Sequence, residues 1–482
     1  MRLQELIEGL GELRGDGNLE IADLAYDSRE VVAGGLFFCI DGTNTDGHLY
    51  APQAVERGAV ALVVTRYLDL PVTQVLVEDG RAAMARISCR FFGNPAAELT
   101  MIGVTGTKGK TSVTYLLEGI GRAWGKTVGL MGTIENRVGN IRMPAKLTTP
   151  QSLDLQRMLR RMVEGGVEWV VMEVAAHGLT YKRVEGIRYD VAVFTNLSRD
   201  HLDDYGTMEN YLAAKRMLFT PERCVAAAIN ADDPAARGLV APEVPALYFG
   251  IEQGDMRGED IALNAVGDTR FVLRTARGRW PVRLSVPGRF NVYNALAAAC
   301  AASALGVPEE VIAAGMADVR VPGRCEVVGE RDGVTVVRDY AHSPDSVQKV
   351  LEMFREFAAG RILTVVGCGG NRDRGKRPIM GELAGRLSDF TVITSDNPRR
   401  EDPEAILDEV EAGIRPTGKP YVRIENRREA ICYALTHARP GDIVLIAGKG
   451  HETYQEIQGV RHHFDEKEVV AQLLEHMEDE GR

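Results

Sequence analysis

At 482 residues the chain is too long for a single hydrophobic core, and ~150 residues per domain predicts roughly three domains. Apolar residues make up 45% and charged residues 26%, the balance of an ordinary globular protein, and a net charge of -11 argues against a general nucleic-acid-coating role. The acidity leaves anionic ligands open, because those are held by local groups rather than by net charge. The opening residues MRLQELIEGL place Glu5 and Glu8 where a secretory signal needs an apolar core. The longest uncharged stretch, 290–308, is Ala-rich but interrupted by Asn291, Asn294, Ser303 and Gly306. It falls short of the ~20 apolar residues of a membrane span and reads as a buried helix. Seven widely spaced cysteines without a C-x-x-C pattern predict reduced thiols rather than disulfides or a zinc site. A cytoplasmic protein is expected, without membrane insertion or a nucleic-acid partner.

Residues 1–98 begin with a helical stretch and then alternate strand-like runs, at 35–40 and 60–64, with turns: a small α/β domain. Gly93-Asn94-Pro95 breaks the pattern ahead of a strand at 101–104. Helices at 112–124 and 153–164, strands at 170–174 and 191–194, a helix at 208–219 and a strand at 225–229 follow. Val321-Pro322-Gly323 makes the second break, and further strands are predicted at 362–366, 390–394 and 443–447. The alternation implies parallel sheets covered by helices, with domains at 1–98, 99–323 and 324–482.

Ligands of such sheets collect beyond the carboxyl ends of the strands. The predicted strand ends carry GTKGKT, Glu173, Thr195-Asn196-Leu197, Gly367-Cys368-Gly369-Gly370, Asp396-Asn397-Pro398-Arg399 and Gly448-Lys449-Gly450-His451-Glu452. The first is the most telling, because LTMIGVTGTKGKTSVTYLLEGI runs a buried strand into a Gly-rich turn and then an amphipathic helix. A helix N-terminus offers unpaired N–H groups and about half a unit of positive charge. Gly106 and Gly109 let the backbone curl around phosphate oxygens, Lys110 can reach the terminal phosphates, and Thr111 can ligate Mg²⁺. Thr107, Lys108 and Ser112 complete the loop. The spacing G-x-x-x-x-G-K-[ST] is not met, since Val104 stands at its first glycine; a tight strand-to-helix turn is the plain alternative.

The loop has company. MEVAAHGL around Glu173, TNLSRDHLDDYG at 195–206, Lys215 in YLAAKRMLF, Pro322-Gly323-Arg324 and DYAHSP at 339–344 follow in order. Together these resemble the Mur ligases, ATP-dependent amide-forming enzymes of peptidoglycan precursor synthesis. GCGGNRDRGKRPIMG at 367–381, DNPR at 396–399 and GKGHE at 448–452 are most similar to the branch that uses meso-diaminopimelate. Asp27-Ser28-Arg29 and Asp46-Gly47 look like the family's uridine-nucleotide domain. The resemblance covers essentially the whole chain. It implies an N-terminal α/β UDP-binding domain, a central P-loop-type parallel-sheet ATPase domain and a C-terminal Rossmann-like domain.

It also implies roles. ATP is the co-substrate and Mg²⁺ the cofactor; the substrates are UDP-MurNAc-L-Ala-D-Glu, which offers a γ-carboxylate, and meso-diaminopimelate. Lys110, Glu173, His201 and Lys215 would be catalytic, with Thr111, Glu173, His201 and Lys215 around the metal. Lys215 would be carboxylated to N6-carboxylysine, which needs a neutral amine of the kind burial favours; its plain reading is a snorkelling lysine. Asn291, Asn294, Arg324 and Asp339 resemble residues around the ATP base, ribose and phosphates. Ser28, Thr43, Asn44, Thr45, Thr148, Thr149 and Arg183 match positions that hold the UDP substrate. Arg372, Asp396, Asn397, Pro398, Arg399, Gly448 and Glu452 match the amino-acid site. Guanidinium groups grip carboxylates bidentately, so Arg372 and Arg399 suit the second carboxylate that diaminopimelate has and lysine lacks.

Three positions depart from the family pattern. Lys108 replaces an Asn of GTNGKT, Ala175-Ala176 replace a Ser-Ser pair, and Tyr181 stands at a Gln that binds substrate. The last two leave a Mur-like ligase with another acyl acceptor or amino acid as one alternative. A nucleotide-binding regulatory protein without catalysis is another, against which Glu173, His201 and Lys215 all argue. A monomer is expected.

Overall fold

The computed structural model describes residues 1–42, 45–139, 141–265 and 268–480. Its Cα positions fall into two compact units, Met1–Arg257 with Leu296–Gly315, and Gly258–Ala295 with Met316–Arg482. Among the described residues no helix is long and apolar enough to cross a membrane.

The first unit holds two sheets. One is built from β1 (Glu12–Arg14), β2 (Leu24–Ala25), β3 (Gly35–Phe38), β4 (Ala59–Val64) and β5 (Thr73–Leu76), in the order β1-β5-β4-β3-β2. The other begins with β6 (Thr100–Thr105), β7 (Val128–Met131), β8 (Glu135–Val138) and β9 (Ile141–Pro144). It continues with β10 (Trp169–Glu173), β11 (Tyr189–Phe194), β12 (Cys224–Asn230) and β13 (Ala246–Gly250), and β14 (Met256–Ala265) starts beside β13. The order β13-β12-β11-β6-β10-β7-β8-β9 places β6 in the middle. β10 and β7 lie on one side of it, and β11 to β13 on the other. These strands run parallel except the β7-β8-β9 edge. The strand order therefore reverses at β6, the position where such sheets open a ligand crevice.

β6 and β10 are apolar along nearly their whole length because helices cover both faces of a parallel sheet. Gly103 in β6 lets the strand lie against the Tyr189 ring, since a Cβ there would come within 2.8 Å of it.

The second unit contains the antiparallel pair β15 (Asp268–Thr275) and β16 (Gly278–Leu284) and a third sheet. That sheet comprises β17 (Glu326–Arg331), β18 (Val334–Asp339), β19 (Ile362–Val366), β20 (Phe390–Ile393), β21 (Tyr421–Arg423) and β22 (Ile443–Ala447). Its order is β17-β18-β22-β19-β20-β21, parallel except for β17. A short hairpin of β23 (Tyr454–Ile457) and β24 (Val460–His463) follows.

The predicted strands and most helices recur, with two differences. The helix expected at 208–219 stops at Arg216. Leu218 and Phe219 donate to Lys215 and Arg216, so the chain tightens into turns of three-residue spacing that bury both side chains. The strands from β13 to β16 had not been read from the sequence. β15, with every second residue buried, shows why: a strand with one wet face alternates and forms no apolar run.

Candidate active site

The phosphate loop follows β6 directly. Gly106 has φ 146, and a Cβ there would collide with Thr195 Oγ1; Gly109 has φ 87 and caps the helix Lys110–Ala123. Both conformations favour glycine. Lys110 Nζ donates to the carbonyls of Gly106 (2.9 Å) and Thr107 (3.1 Å), folding back over the loop. The segment after β11 is laced onto it. Thr107 N donates to Asn196 O at 2.9 Å, Lys108 N to Asn196 Oδ1 at 3.0 Å, and Thr195 Oγ1 to Lys108 O at 2.7 Å. Lys108 Nζ lies 3.0 Å from Asp200 Oδ2.

Glu173 ends β10, next to β6, and its side chain is almost wholly buried. Thr111 Oγ1 and Thr133 N donate to its Oε1 at 2.9 and 2.8 Å, and Thr133 Oγ1 donates to its Oε2 at 3.1 Å. Gly132 is needed for this approach, since a Cβ would strike the carboxylate.

Lys215, on the helix Met208–Arg216, is 1% exposed, with Nζ 4.1 Å from the Tyr211 ring centroid. Burial, and then the charge of Lys110, hold its pKa well below the ordinary lysine value, while Asp200 opposes them. His201 has φ 54 at the start of the short helix Leu202–Tyr205. Burial also lowers its pKa; Asp200 opposes this, and His177, Lys110 and Lys215 reinforce it. The structure thus favours a neutral amine at Lys215 and a neutral imidazole at His201. His177 Nε2 lies 3.0 Å from Asp204 Oδ2, and its ring meets that of His201 edge-on at 5.2 Å.

Hydroxyl and carboxylate oxygens within hydrogen-bond reach beside a phosphate loop fit a hard divalent cation, and a neutral imidazole is the form that ligates. Thr111 and Glu173 therefore have donor chemistry that suits Mg²⁺, while the ligating atoms of His201 lie within 4.8 Å of those of His177 and Asp204.

A third group adjoins Glu173. Thr148 Oγ1 lies 3.1 Å from Thr133 Oγ1, and Thr149 Oγ1 donates to the Glu173 carbonyl at 2.9 Å. Ala175 N donates to Thr149 Oγ1 at 3.0 Å, and Arg183 Nη1 to Thr149 O at 3.1 Å. Tyr181 ends the helix Ala176–Thr180 and stacks on His177. Four predicted positions, Thr148, Thr149, Ala175 and Arg183, are thus linked to the end of β10. Ser28 stands on the first sheet's side instead, donating to Gln53 Oε1 at 2.6 Å, and Thr45 lies 3.4 Å from Tyr50 through their hydroxyls. Thr43 and Asn44 lie outside the described residues.

In the second unit Asn291 Nδ2 donates to Pro287 O (2.7 Å) and Asn294 Nδ2 to Asn291 Oδ1 (2.9 Å). The Arg324 guanidinium lies 4.6 Å from the Tyr340 ring centroid, and its Nε is buried with no hydrogen-bond partner among the described residues. Asp339, at the end of β18, accepts from Cys325 N at 2.7 Å; burial raises its pKa against the pull of Arg324.

The carboxyl ends of β20 and β22 carry a second polar cluster. Asn397 Nδ2 donates to Glu452 Oε2 at 2.8 Å. Lys449, fully buried, donates to Asn397 Oδ1 at 3.0 Å and Glu452 Oε2 at 3.1 Å. Arg399, which follows Pro398 and has φ 55, donates from Nη1 to Gly370 O at 2.7 Å. Gly448 has φ 123 and leaves space for Asp396 Oδ2, while Arg372 is exposed nearby, with its Cγ 3.9 Å from the Cβ position of Gly369.

Sequence reasoning missed Thr133 and Lys449. Thr133 stands just past β7, so the strand-end rule could have found it. Lys449 sits inside GKGHE at 448–452, but nothing in its spacing signals that it is buried.

Three family descriptions match the chain: "Mur ligase family, catalytic domain" over residues 20–91, "Mur ligase middle domain" over 104–302, and "Mur ligase, glutamate ligase domain" over 323–450. The chain belongs to the Mur ligase family and has its three-domain α/β fold. More particularly, it is 45% identical over 512 residues to the UDP-N-acetylmuramoyl-L-alanyl-D-glutamate--2,6-diaminopimelate ligase of Geobacter metallireducens, covering 100% of both chains. It is 47% identical over 483 residues to the ligase of the same name from Geobacillus thermodenitrificans, covering 98% of each. A solved structure of a UDP-N-acetylmuramoyl-L-alanyl-D-glutamate--2,6-diaminopimelate ligase matches with 32% identity and a TM-score of 0.73, covering 99% of both chains. MurF from Acinetobacter baumannii shares the fold at 21% identity and a TM-score of 0.69, covering 98% of each chain.

Proposed function

We propose that this chain is an ATP-dependent ligase of peptidoglycan precursor synthesis. It joins meso-diaminopimelate to the D-Glu γ-carboxylate of UDP-MurNAc-L-Ala-D-Glu through an acyl phosphate. The names of its full-length relatives support the substrates. The observation that carries the reaction type is the phosphate loop set directly against Glu173, through Thr111 at 2.9 Å.

The substrate γ-carboxylate attacks the ATP γ-phosphorus, ADP leaves, and the acyl phosphate forms. The amine then attacks its carbonyl carbon and phosphate departs. The first step rests on positioning and charge stabilisation. Residues 106–112 and Lys110 would hold the phosphates. Mg²⁺ held by Thr111, Glu173 and His201 would supply positive charge opposite the phosphate oxygens. The neutral Lys215 amine would add to CO₂, forming an N–C bond and losing a proton, to give the N6-carboxylysine anion as a further ligand. We assign Asn291, Asn294, Arg324 and Asp339 to the nucleotide on the resemblance alone. Ser28, Thr43, Asn44, Thr45, Thr148, Thr149, Ala175, Tyr181 and Arg183 would take the UDP-linked substrate. Arg372, Asp396, Asn397, Pro398, Arg399, Gly448 and Glu452 would take diaminopimelate.

Domains at 1–98, 99–323 and 324–482 are part of the reading. The first sheet ends at Leu76, β6 begins at Thr100, and β17 begins at Glu326. A cytoplasmic location follows from nucleotide substrates. A monomer is the working unit, since one chain carries residues for all three substrates.

Phosphate release from ATP should require both other substrates, with a UDP-MurNAc-tripeptide product seen by mass. ATP turnover without that product, but with another γ-glutamyl acceptor, would favour the altered-acceptor reading suggested by Ala175 and Tyr181. No turnover with any acceptor would sink the ligase reading.

A further inference from the structure

Two guanidinium groups share one aromatic ring at the edge of the proposed UDP-substrate site. Arg81 stands in the first turn of the helix Gly80–Phe91, and its Cζ lies 5.0 Å from the Tyr181 ring centroid. Arg183 places its Cζ 5.5 Å from the same centroid. Neither forms an ion pair with a carboxylate among the described residues. Arg81 Nη2 donates to the backbone carbonyl of Asp41 (2.9 Å) and Arg183 Nη1 to that of Thr149 (3.1 Å). Arg183 Nε is buried with no hydrogen-bond partner among the described residues. The adjacent Lys182, by contrast, is matched by Asp79 at 2.7 Å. Burial first, and then the charge of Arg81, lower the pKa of Arg183.

Like charges brought together without a counter-charge raise the free energy of the empty site, and an anion received between them lowers it. Guanidinium forks are suited to oxyanions because they donate two parallel hydrogen bonds. Tyr181 is the fixed spacer: its π face attracts both cations, which an amide side chain at this position would not do. The position says which ligand faces it. Arg183 is bonded to Thr149, whose hydroxyl reaches the carbonyl of Glu173. Arg81 is bonded to Asp41, next to Gly42, which is itself hydrogen-bonded to Thr45. The pair therefore bridges the turn assigned to the uridine nucleotide and the strand end that carries the reacting site.

We propose that Arg81 and Arg183, spaced by Tyr181, form a two-arginine clamp for an oxyanion of the UDP-linked substrate. Arg81 is a binding residue that the family pattern did not supply, and Tyr181 is its positioning residue. The oxyanion is either a diphosphate oxygen or the D-Glu α-carboxylate, the acidic group that does not react. The inference rests on the reading that Arg183 faces this substrate.

The test is calorimetric binding to the full chain without ATP, with three probes. They are UDP-MurNAc-L-Ala-D-Glu, the same compound with its D-Glu α-carboxylate amidated, and UDP. Arg81→Ala should weaken binding of the first about tenfold or more, the scale of a lost charge-assisted hydrogen bond. Arg81→Lys should restore only part of it, and Tyr181→Gln should weaken it by a smaller factor. The KM for the UDP-linked substrate should rise in step while the KM for ATP stays fixed, a split that a general loss of structure would not give. An equal loss with UDP identifies the diphosphate. An amidated substrate that binds wild type and Arg81→Ala alike identifies the carboxylate. A folded Arg81→Ala protein, with an unchanged thermal midpoint, that binds all three probes like wild type overturns the clamp. A wild-type chain that binds none of them overturns the reading of the site and the clamp together. Arg81→Gln, which keeps a donor for Asp41, serves if Arg81→Ala does not fold.

Discussion

The polar sites at the strand ends of the second and third sheets differ in how particular buried groups are balanced, although the second sheet also carries the buried pair Arg137–Glu118 at 2.5 Å. Both gather polar chemistry at the carboxyl ends of parallel strands. In the third sheet three buried cations are matched, although the buried Asp339 at the end of β18 has no ion pair among the described residues. Arg427 and Glu466, both fully buried, meet at 2.6 Å; Arg377 pairs with Glu401 and Glu409 at 3.0 and 2.9 Å; Lys449 pairs with Glu452 at 3.1 Å. At the second sheet Glu173 receives only hydroxyl and N–H donors, and Lys215 faces a tyrosine ring with no ion pair among the described residues. A buried charge without a counter-charge is costly, which agrees with the lowered pKa of Lys215 and with the three donors gathered on the Glu173 carboxylate. Matched pairs hold segments in place; on the proposed reading, Glu173 would meet a cation and the Lys215 amine would meet CO₂.

The sharpest way to break this contrast is at Lys215. Lys215→Ala should lower turnover by on the order of 10³-fold or more, the scale for a group that acts as part of a catalytic unit. Turnover near wild type would remove the carbamate. Stability should move the other way. The folded-state pKa lies below the unfolded value, so between the two the unfolded chain binds the extra proton and stability rises with pH. At pH 7 the buried amine is therefore a burden, and Lys215→Met should stabilise the fold by roughly 1–3 kcal/mol while abolishing activity. Thermal unfolding of both proteins at pH 7 and pH 9 checks this, and their difference should shrink at the higher pH.

Glu173→Gln tests the buried carboxylate. It keeps the shape and an acceptor for Thr111 or Thr133 but removes the negative charge. Turnover should fall about 10²- to 10³-fold, as when a preorganised electrostatic group is lost. ATP binding measured without divalent metal should be unchanged. If metal-free nucleotide binding falls as far as turnover, Glu173 acts on the loop's fold rather than on a cation.

Lys449→Met tests the matched design. It removes the buried cation but leaves Asn397 Oδ1 accepting from Glu456 N at 2.9 Å and Glu452 Oε2 from Asn397 Nδ2 at 2.8 Å, so a loss of about 2 kcal/mol is expected, below the full cost of a broken buried pair. The KM for diaminopimelate should rise while that for ATP holds. In the wild type, diaminopimelate should be preferred over L-lysine by ~2 kcal/mol or more in kcat/KM, the scale of a lost charged hydrogen bond at Arg372 or Arg399. Equal rates would refute that assignment.

The two regions also differed in how far the sequence revealed them. The loop, Glu173 and the ends of β19, β20 and β22 were legible because apolar runs mark buried parallel strands and the residue after each run marks its carboxyl end. Lys215 could be named only through resemblance, since a lysine among Ala213, Ala214, Met217 and Leu218 reads equally as a snorkelling side chain; its 1% exposure comes from tertiary packing. Lys449 was invisible for the same reason, as its meaning lies in a partner 52 residues away. β15 and β16 escaped because a half-wet strand carries a weak signal.

Lys108 lies between the two designs and should give the smallest effect. Its ion pair with Asp200 is a matched one, but both side chains are about a third exposed, which limits it to less than ~1 kcal/mol. Lys108→Asn, which restores the family's residue, should therefore leave the thermal midpoint nearly unchanged. Asp200 also caps the N–H of His201 at 3.1 Å and is the group that opposes the lowering of the Lys215 and His201 pKa values. Freed from Lys108, its carboxylate would act more strongly on both. The expected result is a few-fold change in the KM for ATP and a small upward shift of the acidic limb of the kcat profile, since Lys215 and His201 would hold their protons to higher pH. A profile that does not move, with the KM for ATP unchanged, would confine Lys108 to tying the loop to its neighbour.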